Sequence, residues 1–236
     1  GSDNTFIGSG AGTNITSGIK NVAVGDGALV TSTTPSYNIA IGFDALMANT
    51  TGAYNVAIGA LALDANTTAN DNVAVGYNAL GTNTTSASCN AFGRNALQTI
   101  NGGHHNNAFG HGALMDLQGS ATCNVAMGGY ALANATTSSN STAFGHMALE
   151  QATTGGENTA VGYQAGELTT GVCNTYVGAF AGEASTSGGF NTALGWTAMD
   201  STVTGSNNIA VGTQAGVAIT SGDYNIFMGY QSGYDG

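Results

Sequence analysis

Only two of the 236 residues are basic, Lys20 and Arg94, against thirteen acidic ones. Phosphate binding draws on clustered Lys and Arg, so this balance argues against nucleic acid as a partner. A formal charge of −11 also disfavours an anionic membrane surface. Charged residues of all kinds make up 6% of the chain, far below the usual quarter of a globular domain, so the surface must be covered by something else. No hydrophobic run approaches the roughly 20 residues of a membrane span, and no membrane insertion is expected. No signal peptide is visible. Cysteine is sparse, at positions 89, 123 and 173.

What the chain does have is glycine, asparagine and threonine in a strict order. The motif Asn-x-Ala-(Val/Ile/Phe)-Gly-x-x-Ala-Leu reads NVAVGDGAL from Asn21, NIAIGFDAL from Asn38, NVAIGALAL from Asn55 and NVAVGYNAL from Asn72. It persists as NTAVGYQAG from Asn158 and NIAVGTQAG from Asn208. Its glycine falls at 8, 25, 42, 59, 76, 93, 110, 128, 145, 162, 178, 195, 212 and 229. Eleven of the thirteen intervals are 17 residues, one is 18 and one is 16, so the register is a property of the whole chain. A short fixed period predicts a solenoid, in which each repeat stacks on the next. A glycine kept in every repeat predicts positive φ or a close backbone approach. The strict apolar column through Val24, Ile41, Ile58, Val75, Phe92 and Phe109 argues against disorder, the rival reading of so much Gly, Ser, Thr and Asn.

Each repeat predicts one coil of a narrow parallel β-roll. The residues up to the glycine alternate as a strand. One face carries Asn and Ala, as in Asn55 and Ala57; the other carries Val56 and Ile58. A second short strand is expected at the Ala-Leu pair, as in Ala45-Leu46. A Thr-Thr-Gly stretch such as Thr50-Thr51-Gly52 then returns the chain to the next Asn. The fold class expected is all-β: a parallel β-solenoid of about 14 coils with a ~17-residue repeat, one domain over residues 1–236. The chain opens on Gly-Ser and ends partway through a coil without atypical capping repeats, which points to a segment of a longer fibre protein. Cys89 and Cys123 lie two coils apart, about 10 Å at strand spacing, so the thiols are expected to be free. Free thiols suit assembly in a reducing cytosol.

If Ala fills the thin interior, the bulky column has no dry place in a monomer. Large apolar stripes mark interfaces, and a symmetric homo-oligomer buries such a stripe most simply. Val24, Ile41, Ile58, Val75, Phe92, Phe109 and Phe144 are therefore expected in subunit contacts. The Asn-x-Ala-Ile-Gly-x-x-Ala pattern resembles the head repeat of trimeric autotransporter adhesins of the YadA type. It also resembles the Asn-Thr-Ala-Val-Gly-Tyr-Gln-Ala-Gly repeats of phage tail fibres. The resemblance covers essentially the whole chain. It implies a left-handed β-roll, a homotrimer, and a place on a virion tail fibre or a bacterial cell surface. The adhesin repeat is shorter, and the extra residues here fall in the Thr-Thr-Gly turn.

No pattern predicts catalysis or a cofactor. The glycines follow the repeat and no Lys accompanies them, so there is no phosphate loop. There is no nucleophile elbow and no His-Glu-x-x-His. A polysaccharide depolymerase would need two carboxylates in mutual reach, and Glu150, Glu157, Glu167 and Glu183 read as different phases of successive coils. His111 and His146 are two coils apart, and His104-His105 falls in a loop, so no metal site is expected. The column after the glycine varies most and is rich in large side chains. Tyr77, Arg94, His111, His146, Tyr163, Trp196 and Tyr230 are the candidate contacts to a host-surface glycan or protein. The expected function is a non-enzymatic fibre segment that spaces, and contributes to, host attachment. The alternative is ice binding, which uses regular outward Thr rows. Here the Thr are adjacent, as at Thr67-Thr68, so only one of each pair can face out.

Overall fold

Stacking dictates the backbone. The computed structural model describes residues 1–234 and contains, among them, fourteen three-residue parallel strands and no helix. Contacts divide the chain into two compact units, the first ending at Thr122 and the second starting at Cys123. The first holds β1 (Thr5–Ile7), β2 (Val22–Val24), β3 (Ile39–Ile41), β4 (Val56–Ile58), β5 (Val73–Val75), β6 (Asn90–Phe92) and β7 (Asn107–Phe109). The second holds β8 (Val125–Met127), β9 (Thr142–Phe144), β10 (Thr159–Val161), β11 (Thr175–Val177), β12 (Thr192–Leu194), β13 (Ile209–Val211) and β14 (Ile226–Met228). Within each unit every strand pairs in parallel with its sequence neighbours. Identical repeat positions face each other, as Ala23, Ala40 and Ala57 do across β2, β3 and β4. This is the β-solenoid that the glycine register predicts.

The strands' middle residue points inward and is fully buried as Ala in eleven coils, including Ala23, Ala40 and Ala57. The third residue points outward. The interior is thin, and much of what fills it is polar. Asn21, Asn38, Asn55 and Asn72 are all 0% exposed. Each works as an extra piece of backbone. Asn38 Oδ1 accepts the Asn55 amide at 2.8 Å, while Asn38 Nδ2 donates to the Gly52 carbonyl at 2.9 Å. The same two bonds recur at Asn55, whose Oδ1 accepts from the Asn72 amide and whose Nδ2 donates to Ala69. In the second unit Asn158, Asn174, Asn191 and Asn208 repeat the pattern. A buried amide is tolerable only with its donors and acceptor engaged, and here the next coil supplies the partners.

The repeat glycine answers both parts of its expectation. Gly42 and Gly59 have φ of 136° and 135°. A Cβ on Gly59 would lie 2.5 Å from the Gly76 carbonyl oxygen of the next coil. No side chain fits between coils stacked this closely.

One expectation fails. The Ala-Leu pair forms no second strand; it lies in a turn. Its leucines sit in the left-handed region, with φ of 51° at Leu46, 52° at Leu63 and 52° at Leu80. The reason is the circuit's direction of hydrogen bonding. The Asp44 amide donates back to Asp26, whereas the Leu46 amide donates forward to Ala62. Flipping donors between the coils on either side over two residues takes a left-handed step. Left-handed backbone costs about 1–2 kcal/mol at a residue with a Cβ. Burying a leucine returns about 1.5–3 kcal/mol, which is why Leu and not Gly holds the position in most coils. Every one of these leucines is fully buried.

The exceptions obey a volume rule. Tyr176 replaces the inward Ala of β11 and is 0% exposed. Glycine stands where Leu would be in its own coil and in the preceding one, at Gly182 and Gly166. A Cβ there would meet the Tyr176 ring at 2.3 and 2.5 Å. Phe227 of β14 stands in the same relation to Gly233 and Gly216, at 2.3 and 3.2 Å. In each case one ring fills the room of two leucines.

The three thiols are free, as the coil spacing requires. Cys89 interrupts the Asn ladder. Its amide donates to Asn72 Oδ1 at 2.9 Å, and its thiol reaches the Gly103 carbonyl only at 3.8 Å. Burial pushes that thiol's pKa up. Cys89→Asn is expected to complete the ladder and raise the thermal midpoint. Asn55→Ala removes two buried bonds and should cost about 1–3 kcal/mol. Gly59→Ala adds overlap to about 1–3 kcal/mol of backbone strain and should cost more than Asn55→Ala. Urea titrations of the three variants rank them, and a stable Gly59→Ala protein would refute the close-approach account.

Candidate functional site

The outward side of each strand carries two residue columns. The outer one in the first unit runs Val24, Ile41, Ile58, Val75, Phe92 and Phe109 in direct cross-strand register. Ile41 and Ile58 are each 38% exposed, although fully apolar. Phe92 and Phe109 stack at 4.8 Å between centroids and 5° between planes. Phe144 lies in the second unit, 53% exposed, between Met127 and Val161. The strand's first residue forms the neighbouring column: Val22, Ile39, Val56 and Val73, all half-buried. The face therefore presents a double row of β-branched side chains over β2–β5, wider than the single column chosen from the repeat.

The column after the glycine is exposed as well. Phe43, Tyr77, Tyr163, Trp196 and Tyr230 range from 46% to 71% exposed. In the first unit the Arg94 guanidinium lies over the Tyr77 ring at 5.8 Å, and His111 is exposed one coil beyond Arg94. In the second unit His146 stacks on Tyr163 at 5.7 Å and 13°. Two residues from the adjoining column join in: Tyr130 meets His146 edge-on at 6.2 Å, and Phe180 meets Tyr163 edge-on at 5.1 Å. The sequence reading missed both, because they sit one position further from the glycine. A second aromatic column precedes the Asn, where Tyr37 and Tyr54 stack at 5.1 Å and Lys20 lies 5.2 Å over Tyr37.

The histidine loop has a backbone role. His104 Nδ1 accepts the Ala87 amide at 2.9 Å. Asn70 Oδ1 does the same for Ala53, and Ser206 Oγ for Gly189. Among the described residues no group of three or more His, Cys, Asp or Glu could hold a metal ion. Among the described residues no helix is long and apolar enough to cross a membrane.

The threonine pairs divide their labour. Thr50 Oγ1 and Thr67 Oγ1 donate to the next coil's carbonyl at 2.9 and 3.1 Å. Their partners Thr51 and Thr68 are exposed, in a row with Thr34 and Thr85. From Thr50-Thr51 to Thr84-Thr85 one threonine of each pair is exposed and the other half-buried.

The carboxylates require a correction. Glu150, Glu167 and Glu183 do not fall in different phases. Each lies five residues after its glycine, as does Asp200, so the four form one column on successive coils. Glu157 alone lies elsewhere, accepting from the Cys173 thiol at 3.1 Å. In the column, Gln164 Nε2 donates to Glu167 Oε2. Burial, and then the negative charge of Glu167, raise the Glu150 pKa, with His146 opposing. Burial, Asp200 and Glu167 raise that of Glu183. Burial raises that of Asp200 against a backbone hydrogen bond at Ala184.

Comparison of the chain with protein-family models, with curated proteins and with solved structures finds no match.

The raised pKa values set a pH dependence. The folded state holds these protons more tightly than the unfolded chain. Their stabilising contribution is therefore full below the ordinary carboxylate range and is lost as pH rises through the folded values towards neutrality. The thermal midpoint is expected to be higher at about pH 4.5 than at about pH 7. Glu183→Gln should raise the midpoint at neutral pH and flatten the dependence. Calorimetric scans across this range check both; a midpoint that rises with pH in wild type would contradict the assignment.

Proposed function

We propose that the chain is a non-enzymatic structural and adhesive segment of a fibre, from a phage tail fibre or a bacterial surface adhesin, assembled as a homotrimer. One observation carries the reading. The strand face is apolar along its outer column, and along a double row over β2–β5, while the small interior is already filled by Ala, Leu and Asn. At about 25 cal/mol per Å² of apolar surface, leaving that face in water forfeits a large stabilisation that a second copy restores. A partner with the same repeat would align residue for residue, since every column keeps its spacing. The trimer rather than the dimer follows from the resemblance to adhesin and tail-fibre repeats. Subunit contacts are assigned to Val24, Ile41, Ile58, Val75, Phe92, Phe109 and Phe144, and host-surface contact to the column of Tyr77, Arg94, His111, His146, Tyr163, Trp196 and Tyr230. The free thiols suit a particle assembled in a reducing compartment.

The exposed row of Thr34, Thr51, Thr68 and Thr85 favours a second reading, ice binding. Against it, a single row offers half of a Thr-x-Thr lattice. Ice-crystal shaping under a microscope decides for that reading if facets appear.

Light scattering is expected to give three times the chain mass at micromolar concentration. Ile58→Asp places a charge in the contact and should convert the protein to monomer, because an unpaired charge is costly to bury. Thr68→Asp, on the exposed row, should leave the mass unchanged. A monomeric wild type would refute the assembly.

A further inference from the structure

Over two stretches the column after the glycine alternates large and small residues, whereas large ones adjoin at Tyr77, Arg94 and His111 and at His146 and Tyr163. In the second unit it runs Tyr163, Ala179, Trp196, Thr213 and Tyr230 on five successive coils. Tyr163, Trp196 and Tyr230 are 46%, 52% and 71% exposed. The first unit repeats the alternation at Phe43, Ala60 and Tyr77, where both rings are exposed. Aromatics on alternate coils are about 10 Å apart at strand spacing. That is the length of one disaccharide in an extended β-1,4-linked glycan. One coil matches one sugar, and every second sugar meets a ring.

Other details select the ligand further. Trp196 has only Ala179 and Thr213 beside it in its column, so its ring faces are not crowded by another large side chain from that column. Tyr163 is fixed between His146 and Phe180 and offers a hydroxyl at a set position. Sugar rings suit such surfaces, with an apolar face for the aromatic and hydroxyls for Tyr and Thr. The sequence from Cys123 onward contains no Lys and no Arg, and the carboxylate column lies a few residues away in the same coils. Such a surface repels a uronate or phosphate polymer and accepts an uncharged one.

We infer that the column of Tyr163, Trp196 and Tyr230 binds a linear, uncharged, β-1,4-linked polysaccharide laid across successive coils, one disaccharide for every two coils. The inference rests on the fibre reading and names the glycan class for its lateral contact.

The test uses the whole chain and defined oligosaccharides from two to eight sugars, in the cello- and chito- series. Polygalacturonate serves as the anionic control and malto-oligosaccharides as the α-linked control. Calorimetric affinity should climb with chain length and level off at about five sugars, the length that spans three rings on alternate coils at one sugar per coil. Trp196→Ala should weaken the hexasaccharide about tenfold, and Trp196→Phe should recover part of the loss. Thermal midpoints of both variants should match wild type, since the ring is exposed. No binding of either β-linked series overturns the inference. So does equal affinity in Trp196→Ala, or a preference for either control. The mass of the same samples separates the two ideas. A trimer that ignores these sugars removes the glycan assignment alone, while a monomer that binds them removes the assembly and leaves the assignment.

Discussion

Within each unit, each coil lies directly on the next at strand spacing, and that single constraint selects most of the residues. Where two backbones meet face to face, only glycine fits, as at Gly42 and Gly59. Where the interior narrows, alanine fits, unless glycines in two turns make room for a ring as they do at Tyr176. Where a buried turn leaves amides and carbonyls without a strand to pair with, asparagine supplies the missing donor and acceptor. The coil is held by hydrogen bonds passed between neighbours more than by a hydrophobic core. Its charge-poor composition follows, because backbone ladders, Asn and Thr satisfy one another without ions.

The same constraint divides the circuit by function. Inward positions have little freedom. The outward positions of the strand and of the turn after the glycine can change with little effect on stacking, and there the large side chains collect. The strand face gathers aliphatic residues and suits a copy of the chain. The turn gathers aromatic rings and suits something more varied. Beyond that turn, the carboxylates of Glu150, Glu167, Glu183 and Asp200 add a stripe of like charge that strengthens on loss of protons and weakens the stack accordingly.

The repeat alone revealed the strands, the inward Asn and Ala, and the outward bulky column, because each is set by period and by side-chain size. The left-handed leucines were not legible. Nothing in Leu46 or Leu63 marks positive φ, and the conformation comes from the direction in which neighbouring coils exchange hydrogen bonds. The carboxylate column was hidden by a change of spacing: the coil between Gly162 and Gly178 is one residue short, so Glu167 and Glu183 are 16 residues apart. Counting from the glycine restores the phase. The ring contacts of Tyr130 and Phe180 were hidden because they cross between two columns.

A chain of near-identical coils has a hazard of its own: any coil could settle on any other, and a slipped stack would keep most of its hydrogen bonds. The aromatic replacements remove that degeneracy. Tyr176 fits only where glycine stands both in its own turn and in the turn before. A slip by one coil in the direction that places Leu149 beside it would force a ring into an occupied site. Tyr176 and Phe227 thus act as keys cut for one position each, and they make the order of the coils, as well as their number, a property of the folded protein.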